Sequence, residues 1–104
     1  MNKILIIKLG ALGDVLRTTS ILPTLKKKYK RYFIIWLTKK EAIPLLQNNP
    51  LIDRIEYNIK KIAKKNFDLV INLDEDLEAC QLASQVGKKI IGSYLNNNHL
   101  VSNF

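Results

Sequence analysis

Apolar and polar positions alternate along this chain in two rhythms. Ile4-Leu-Ile-Ile7 is a short unbroken apolar run, as expected of a strand covered on both faces, and residues 3–8 read as the first strand. Beyond Asp14, the apolar residues Val15, Leu16, Ile21, Leu22 and Leu25 suit a helix that reaches about Lys28. Thr18, Thr19 and Pro23 are poor mid-helix residues, and Pro23 is expected to kink that helix or start a fresh turn. Residues 32–37, aromatic and β-branched, form the second strand, and Thr38 is placed to cap a helix over about 39–47 that Asn48-Asn-Pro50 ends. Residues 52–57 alternate as a half-exposed edge strand does, and a basic helix over about 59–65 follows. Residues 67–73 give a fourth strand, 77–86 a helix stopped by Gly87, and 88–94 a fifth strand. Asn96 to Asn98 read as a turn, and His99 to Ser102 as a stretch able to extend.

Strands alternating with helix-period segments are the pattern of an α/β fold: a Rossmann-like parallel sheet of about five strands with helices on both faces. Right-handed crossovers most often give such a sheet the strand order 3-2-1-4-5, and ligands bind at the carboxyl ends of the strands where that order reverses. That crevice lies between strands one and four. Its expected rims are Gly10 to Asp14 on one side and Asp74 to Asp76 on the other. Two acidic rims suggest hydroxyl recognition or proton abstraction more than phosphate binding. Asp76 is also well placed simply to cap the next helix.

Bulk properties narrow the class. The 104 residues are enough for one hydrophobic core and too few for two ordinary domains, so a single unit is expected. With 47% hydrophobic and 25% charged residues, the chain has the composition of an ordinary globular domain rather than a disordered one. The apolar start is too short for a signal-peptide core and no run is long enough to span a bilayer, so a cytoplasmic location is expected, with peripheral inner-membrane contact open. Cys80 is the single cysteine and falls in a helical pattern with Leu77, Leu82 and Ala83, where packing is favoured over reactivity. His99 is the single histidine and has no cysteine near it, so neither a metal nor another cofactor is expected.

The formal net charge of +8 invites a nucleic-acid reading, so the placement of the charges matters. Lysines at 26–28, 39–40, 60–61 and 64–65 fall at helix ends or on polar helix faces, where opposing a helix dipole explains several of them without a partner. A lysine-rich face toward anionic lipids or a phosphorylated glycolipid is the other reading.

Chemistry concentrates in Lys8-Leu-Gly-Ala-Leu-Gly-Asp14, the loop after the first strand. Its glycines, Gly10 and Gly13, fit neither the G-x-G-x-x-G dinucleotide fingerprint nor the P-loop pattern. They are expected to supply backbone angles and close approaches barred to other residues, presenting Asp14 on a stiff loop. A helix-start carboxylate accounts for Asp14 equally well on local grounds.

Taken with Val15-Leu-Arg-Thr-Thr19, Trp36-Leu-Thr-Lys39, Asn49-Pro50, Ile52-Asp53 and Phe67-Asp-Leu-Val-Ile-Asn-Leu-Asp-Glu-Asp76, this loop resembles the amino-terminal part of glycosyltransferase family 9, the ADP-heptose:lipopolysaccharide heptosyltransferases. The resemblance covers nearly the whole chain in the family's order. It implies the amino-terminal half of a GT-B fold, in which two Rossmann-like domains face a cleft, one receiving the acceptor and the other gripping the nucleotide sugar. It implies no metal. By motif, the family's proposed general base falls on Asp14, which would deprotonate an acceptor hydroxyl as it attacks the anomeric carbon of the heptose. Gly10 and Gly13 would shape the site. Lys8 and Arg17, which flank the loop, are placed to meet acidic groups on the acceptor, although a snorkelling lysine and a surface arginine explain them as well, and Asp74 on the opposite rim is a further acceptor-binding candidate.

The implied partners are ADP-heptose, held by a donor-binding domain absent from these 104 residues, and a lipopolysaccharide core acceptor. On this reading the chain is inactive alone, with apolar surface and a sheet edge through which copies could associate, His99 to Phe104 among the candidates. Two alternatives carry different chemistry. A basic nucleic-acid module is motivated by the charge but has only Tyr29 and Tyr32 as aromatics amid lysines. A signalling receiver shares the five-strand architecture, yet Gly10 and Ser93 stand near the places where that family has an acid and a lysine.

Overall fold

The computed structural model describes residues 2–96 and 99–102. Five parallel strands lie in the order β3-β2-β1-β4-β5: β1 (Lys3–Ile7), β2 (Phe33–Leu37), β3 (Arg54–Glu56), β4 (Phe67–Asn72) and β5 (Gly87–Asn96). This is the expected order, and it differs from the 2-1-3-4-5 order of receiver domains, so that alternative fails on topology. A sixth strand, β6 (His99–Ser102), pairs antiparallel with β5, from Ser93 opposite Ser102 to Asn96 opposite His99. The extended stretch at His99 therefore joins its own sheet. The expected turn at Asn96 to Asn98 falls partly outside the described residues, as do Asn103 and Phe104.

The apolar runs are central strands because both of their faces are buried, and Ile4, Leu5, Ile6 and Ile7 are each fully shielded. Even-numbered residues of β1 and β2, Ile4, Ile6, Ile34 and Trp36, pack with Val15, Leu22, Ala42 and Leu46. These come from α1 (Leu12–Thr18), α2 (Leu22–Lys28), a 3-10 turn (Lys40–Ala42) and α3 (Ile43–Leu46). Odd-numbered Leu5, Ile7, Ile35 and Leu37 pack with Ile62 of α4 (Ile59–Ala63) and Ala79, Leu82, Ala83 and Val86 of α5 (Leu77–Val86). Helices thus cover both faces.

Pro23 acts as expected. The helix after Asp14 breaks into a 3-10 turn at Thr19–Ile21, and α2 begins afresh with the proline in its first turn, where no amide hydrogen is needed. The Thr18 and Thr19 hydroxyls bond back to the Val15 and Leu16 carbonyls, which favours the break.

Two expected caps are absent. Thr38 is fully buried and its hydroxyl has no partner, while Lys39 occupies the cap position of the turn that follows. Asp76 does sit at the cap position of α5, but its carboxylate accepts no cap hydrogen bond.

Candidate functional site at the carboxyl ends of the strands

The reversal between β1 and β4 opens a cleft of about 220 Å³ lined by Leu9, Gly10, Lys39, Asp74, Glu75 and Asp76. Its floor is a set of polar ties between strands that meet only in three dimensions. The Lys8 ammonium donates to Asp74 Oδ1 at 2.9 Å and to the Leu73 carbonyl at 3.4 Å. The buried Leu9 amide donates to the other oxygen of the same carboxylate. Asp74 in turn donates its amide to Asn72 Oδ1 at 3.0 Å, and Asn72 Nδ2 donates to the Ser93 carbonyl at 2.8 Å. One chain of contacts therefore links the ends of β1, β4 and β5.

Lys8 and Asp74 thus meet each other. Their side chains are only 13% and 10% exposed, so their charges largely cancel within the protein. What remains to face the cleft is one exposed cation, Lys39, and two exposed acids, Glu75 and Asp76. Lys39 is a lining residue that the sequence pattern did not single out as a site residue. It becomes one because it follows β2 directly, and Thr38 is hydrogen-bonded through its amide to the Glu56 carbonyl at 2.9 Å, fixing where the next residue emerges.

Asp14 lies outside this lining. It is in the first turn of α1, half exposed, with Arg17 Nη1 3.6 Å away across the helix surface. Pairs this exposed contribute little to stability. The two expected acidic rims are therefore unequal: the β4 rim lines the cleft, whereas the β1 rim contributes Leu9 and Gly10 to it and carries Asp14 farther along the helix.

Of the two properties expected of the loop glycines, the close approach is found, at Gly10, and the special backbone angle is found at neither. Among the described residues, the positive-φ glycine is Gly92, not Gly10 or Gly13. A Cβ at Gly10 would come within 3.1 Å of Lys8 Nζ and 3.5 Å of Asp74 Oδ1, so its small size makes room for that ion pair. A Cβ at Gly13 would meet nothing within 4 Å. Open space above the α1 backbone, rather than a special backbone angle, is what Gly13 supplies. Gly92, at φ 107°, was missed because its strand reads as continuous, and the constraint is the Asn72 carbonyl, 2.0 Å from where a Cβ would lie.

Beneath the cleft, Cys80 is fully buried, with its sulfur 3.7 Å from Asn72 Nδ2 and 3.8 Å from the Asp74 carbonyl. Burial, helped by the nearby charges of Asp76, Glu75 and Asp74, pushes its thiol above the ordinary range. It packs, as its helical pattern indicates.

No protein-family model matches the chain. It is 40% identical over 53 residues to lipopolysaccharide heptosyltransferase 1 of Campylobacter coli, covering 51% of this chain and 16% of that protein. It is 35% identical over 80 residues to lipopolysaccharide heptosyltransferase 3 of Escherichia coli (strain K12), covering 61% of this chain and 23% of the relative. The chain is similar to part of a heptosyltransferase. The fold of this heptosyltransferase-like stretch agrees: a glycosyl transferase family 9 structure from Veillonella parvula DSM 2008 superposes with a TM-score of 0.76 at 24% identity, over 88% of this chain and 31% of that one. The domain is glycosyltransferase-like, and it spans under a quarter of the length of these two curated relatives. No helix among the described residues is long and apolar enough to cross a membrane.

Proposed function

We propose that this chain is the acceptor-side, amino-terminal part of an inverting heptosyltransferase that moves heptose from ADP-heptose to a lipopolysaccharide core. The observation that carries this is the half-exposed carboxylate of Asp14, with Arg17 as its surface partner, on the helix that leaves β1 at the carboxyl end of the sheet, within a stretch similar to heptosyltransferases. An alcohol is a weak nucleophile at neutral pH, and a positioned carboxylate accelerates its attack by accepting its proton. In the step, the acceptor oxygen bonds to the anomeric carbon as the bond from that carbon to the diphosphate breaks. The proton passes to Asp14 and ADP leaves.

Lys8, Gly10 and Asp74 hold the loop in shape, Gly13 leaves space beside Asp14 for the acceptor, and Arg17 sits one turn away for an anionic substituent. The donor would be bound by residues outside these 104, so the isolated chain has little or no transfer activity. A cytoplasmic location follows from the donor, and peripheral contact with the inner membrane from a lipid-anchored acceptor.

The test supplies the donor-binding half of a related heptosyltransferase in trans and follows ADP release with a lipopolysaccharide core acceptor. Wild type is expected to support release, and Asp14→Ala to lower it by about 100-fold or more, with an unchanged urea midpoint because Asp14 is exposed. Equal rates in the two would remove Asp14 as the base.

A further inference from the structure

We propose that helix α4 carries a second site, a lysine-lined concavity that docks the chain on an anionic phospholipid surface. The concavity, about 530 Å³, is lined by Asn58, Lys60, Lys61, Lys64 and Lys65. Among the described residues, none of these four ammoniums is in an ion pair. Of the four, Lys61 acts from a distance on Glu56, whose carboxyl pKa it helps to lower.

Folding does not require this arrangement. The five-residue helix is held by Ile62, 1% exposed, and by Asn58, whose side chain accepts from the Lys60 amide at 3.0 Å. In a helix of five residues the first and last turns overlap, so the dipole does not account for Lys60 and Lys61, the basic residues of its last turn, while Lys64 at the carboxyl cap and Lys65 beyond it oppose the dipole favourably. Four mutually repelling charges around one hollow are stabilised by an anionic occupant.

The chemistry of the lining selects a headgroup layer over a nucleic acid. No aromatic side chain lines the hollow to stack a base. Tyr29 and Tyr32 pack edge to face on each other, with centroids 4.9 Å apart, against the opposite face of the sheet. All four cations are lysines, compact charges suited to a plane of phosphates rather than to bidentate readout. Position agrees as well. Asn58 follows β3 by two residues, so the hollow begins at the same end of the sheet as the cleft. This deepens the heptosyltransferase reading by naming the surface on which a lipid-anchored acceptor is met, but it is tested without sugar transfer, so either can fail alone.

The test is co-sedimentation of the 104-residue chain with vesicles of equimolar phosphatidylcholine and phosphatidylglycerol, against vesicles of phosphatidylcholine alone, at low and high salt. The wild type is expected to bind the mixed vesicles alone and to release in high salt. A lysine near such a surface is worth about fivefold in affinity, so changing Lys60, Lys61, Lys64 and Lys65 together to Gln is expected to weaken binding at least about 100-fold. The pairs Lys60→Gln/Lys61→Gln and Lys64→Gln/Lys65→Gln, each milder for folding, should each lose about 25-fold. Changing Lys27, Lys28 and Lys30 to Gln, on the other helical layer, should lose less than either pair. No binding by the wild type, equal losses in the α4 pairs and the control, release by inorganic phosphate at the headgroup concentration, or tighter binding to single-stranded RNA through the same lysines would each overturn the proposal.

Discussion

The Lys8 ammonium and the Asp74 carboxylate, 66 positions apart, meet at 2.9 Å and tie the carboxyl end of β1 to that of β4. The contact sets the floor of the cleft, because the same carboxylate also takes the Leu9 amide at the point where the loop departs. Removing one partner of a shielded ion pair leaves an uncompensated charge. Asp74→Ala is therefore expected to lower unfolding free energy by about 3 kcal/mol, read from urea denaturation. Asp74→Asn keeps an acceptor for Leu9 and should lose less. Asp76→Ala, at an exposed position without a cap bond, should stay within about 0.5 kcal/mol of wild type. Equal effects at 74 and 76 would mean that the pair does not hold the loop.

Gly92 and Gly13 make opposite predictions. Alanine at 92 must adopt a left-handed backbone and push its Cβ into the Asn72 carbonyl, 2.0 Å away. Backbone strain alone is expected to cost about 1–3 kcal/mol, with the displacement of β4 in addition. Gly13 is in the first turn of α1 with empty space around it, so Gly13→Ala should gain about 0.5–1 kcal/mol. A loss of transfer in the complemented assay alongside that gain would show that the space, rather than the fold, is what glycine preserves there.

These residues also show which features could be read from the chain. The strands were legible because burial on both faces demands apolar runs, and the broken helix was legible because a proline without an amide hydrogen must start a turn. The strand order followed from right-handed crossovers, and with it the position of the cleft. The pairing of Lys8 with Asp74 was not legible, since nothing local tells a lysine which distant carboxylate it will meet. Nor was the role of Gly92, whose constraint is the backbone of a neighbouring strand. Thr38 reads as a cap by spacing, but the chain turns one residue later and buries it. Gly10 and Gly13 read as glycines of special backbone angle and close approach, and the fold uses the close approach alone, at Gly10, where a Cβ would crowd Lys8 Nζ, whereas nothing crowds Gly13.

Glu56 gives a pH prediction. Burial raises its carboxyl pKa, but amide hydrogen bonds from Asn58 and Tyr57, both at 3.1 Å, and the charges of Lys61 and Arg54 outweigh that and leave it lowered. A folded-state pKa below the unfolded value of about 4.5 means the native state binds the proton less tightly. The stabilisation is complete above that unfolded value and is lost as pH falls through the folded one. Wild type is thus expected to be more stable than Glu56→Gln by a constant margin from pH 7 to pH 5, and the margin should shrink below about pH 4.5. A margin that widened in acid, in urea midpoints measured across that range, would reverse the assignment.

Cys80 reports on the same region from beneath. Full burial separates it from reagents and, by raising its thiol pKa, keeps the reactive thiolate scarce in the folded state. Its neighbours Asn72 and Asp74 are the residues that tie β4 to β5 and β1, so exposure of the sulfur requires those ties to open. Labelling by a disulfide reagent at neutral pH should therefore be slow in native buffer and rapid in urea. Asp74→Ala should speed it at denaturant concentrations too low to unfold the protein globally, since local opening needs less free energy than full unfolding. Labelling as fast in the native wild type as in urea would contradict the buried position, and equal native rates in wild type and Asp74→Ala would separate the Lys8 contact from the packing around the sulfur.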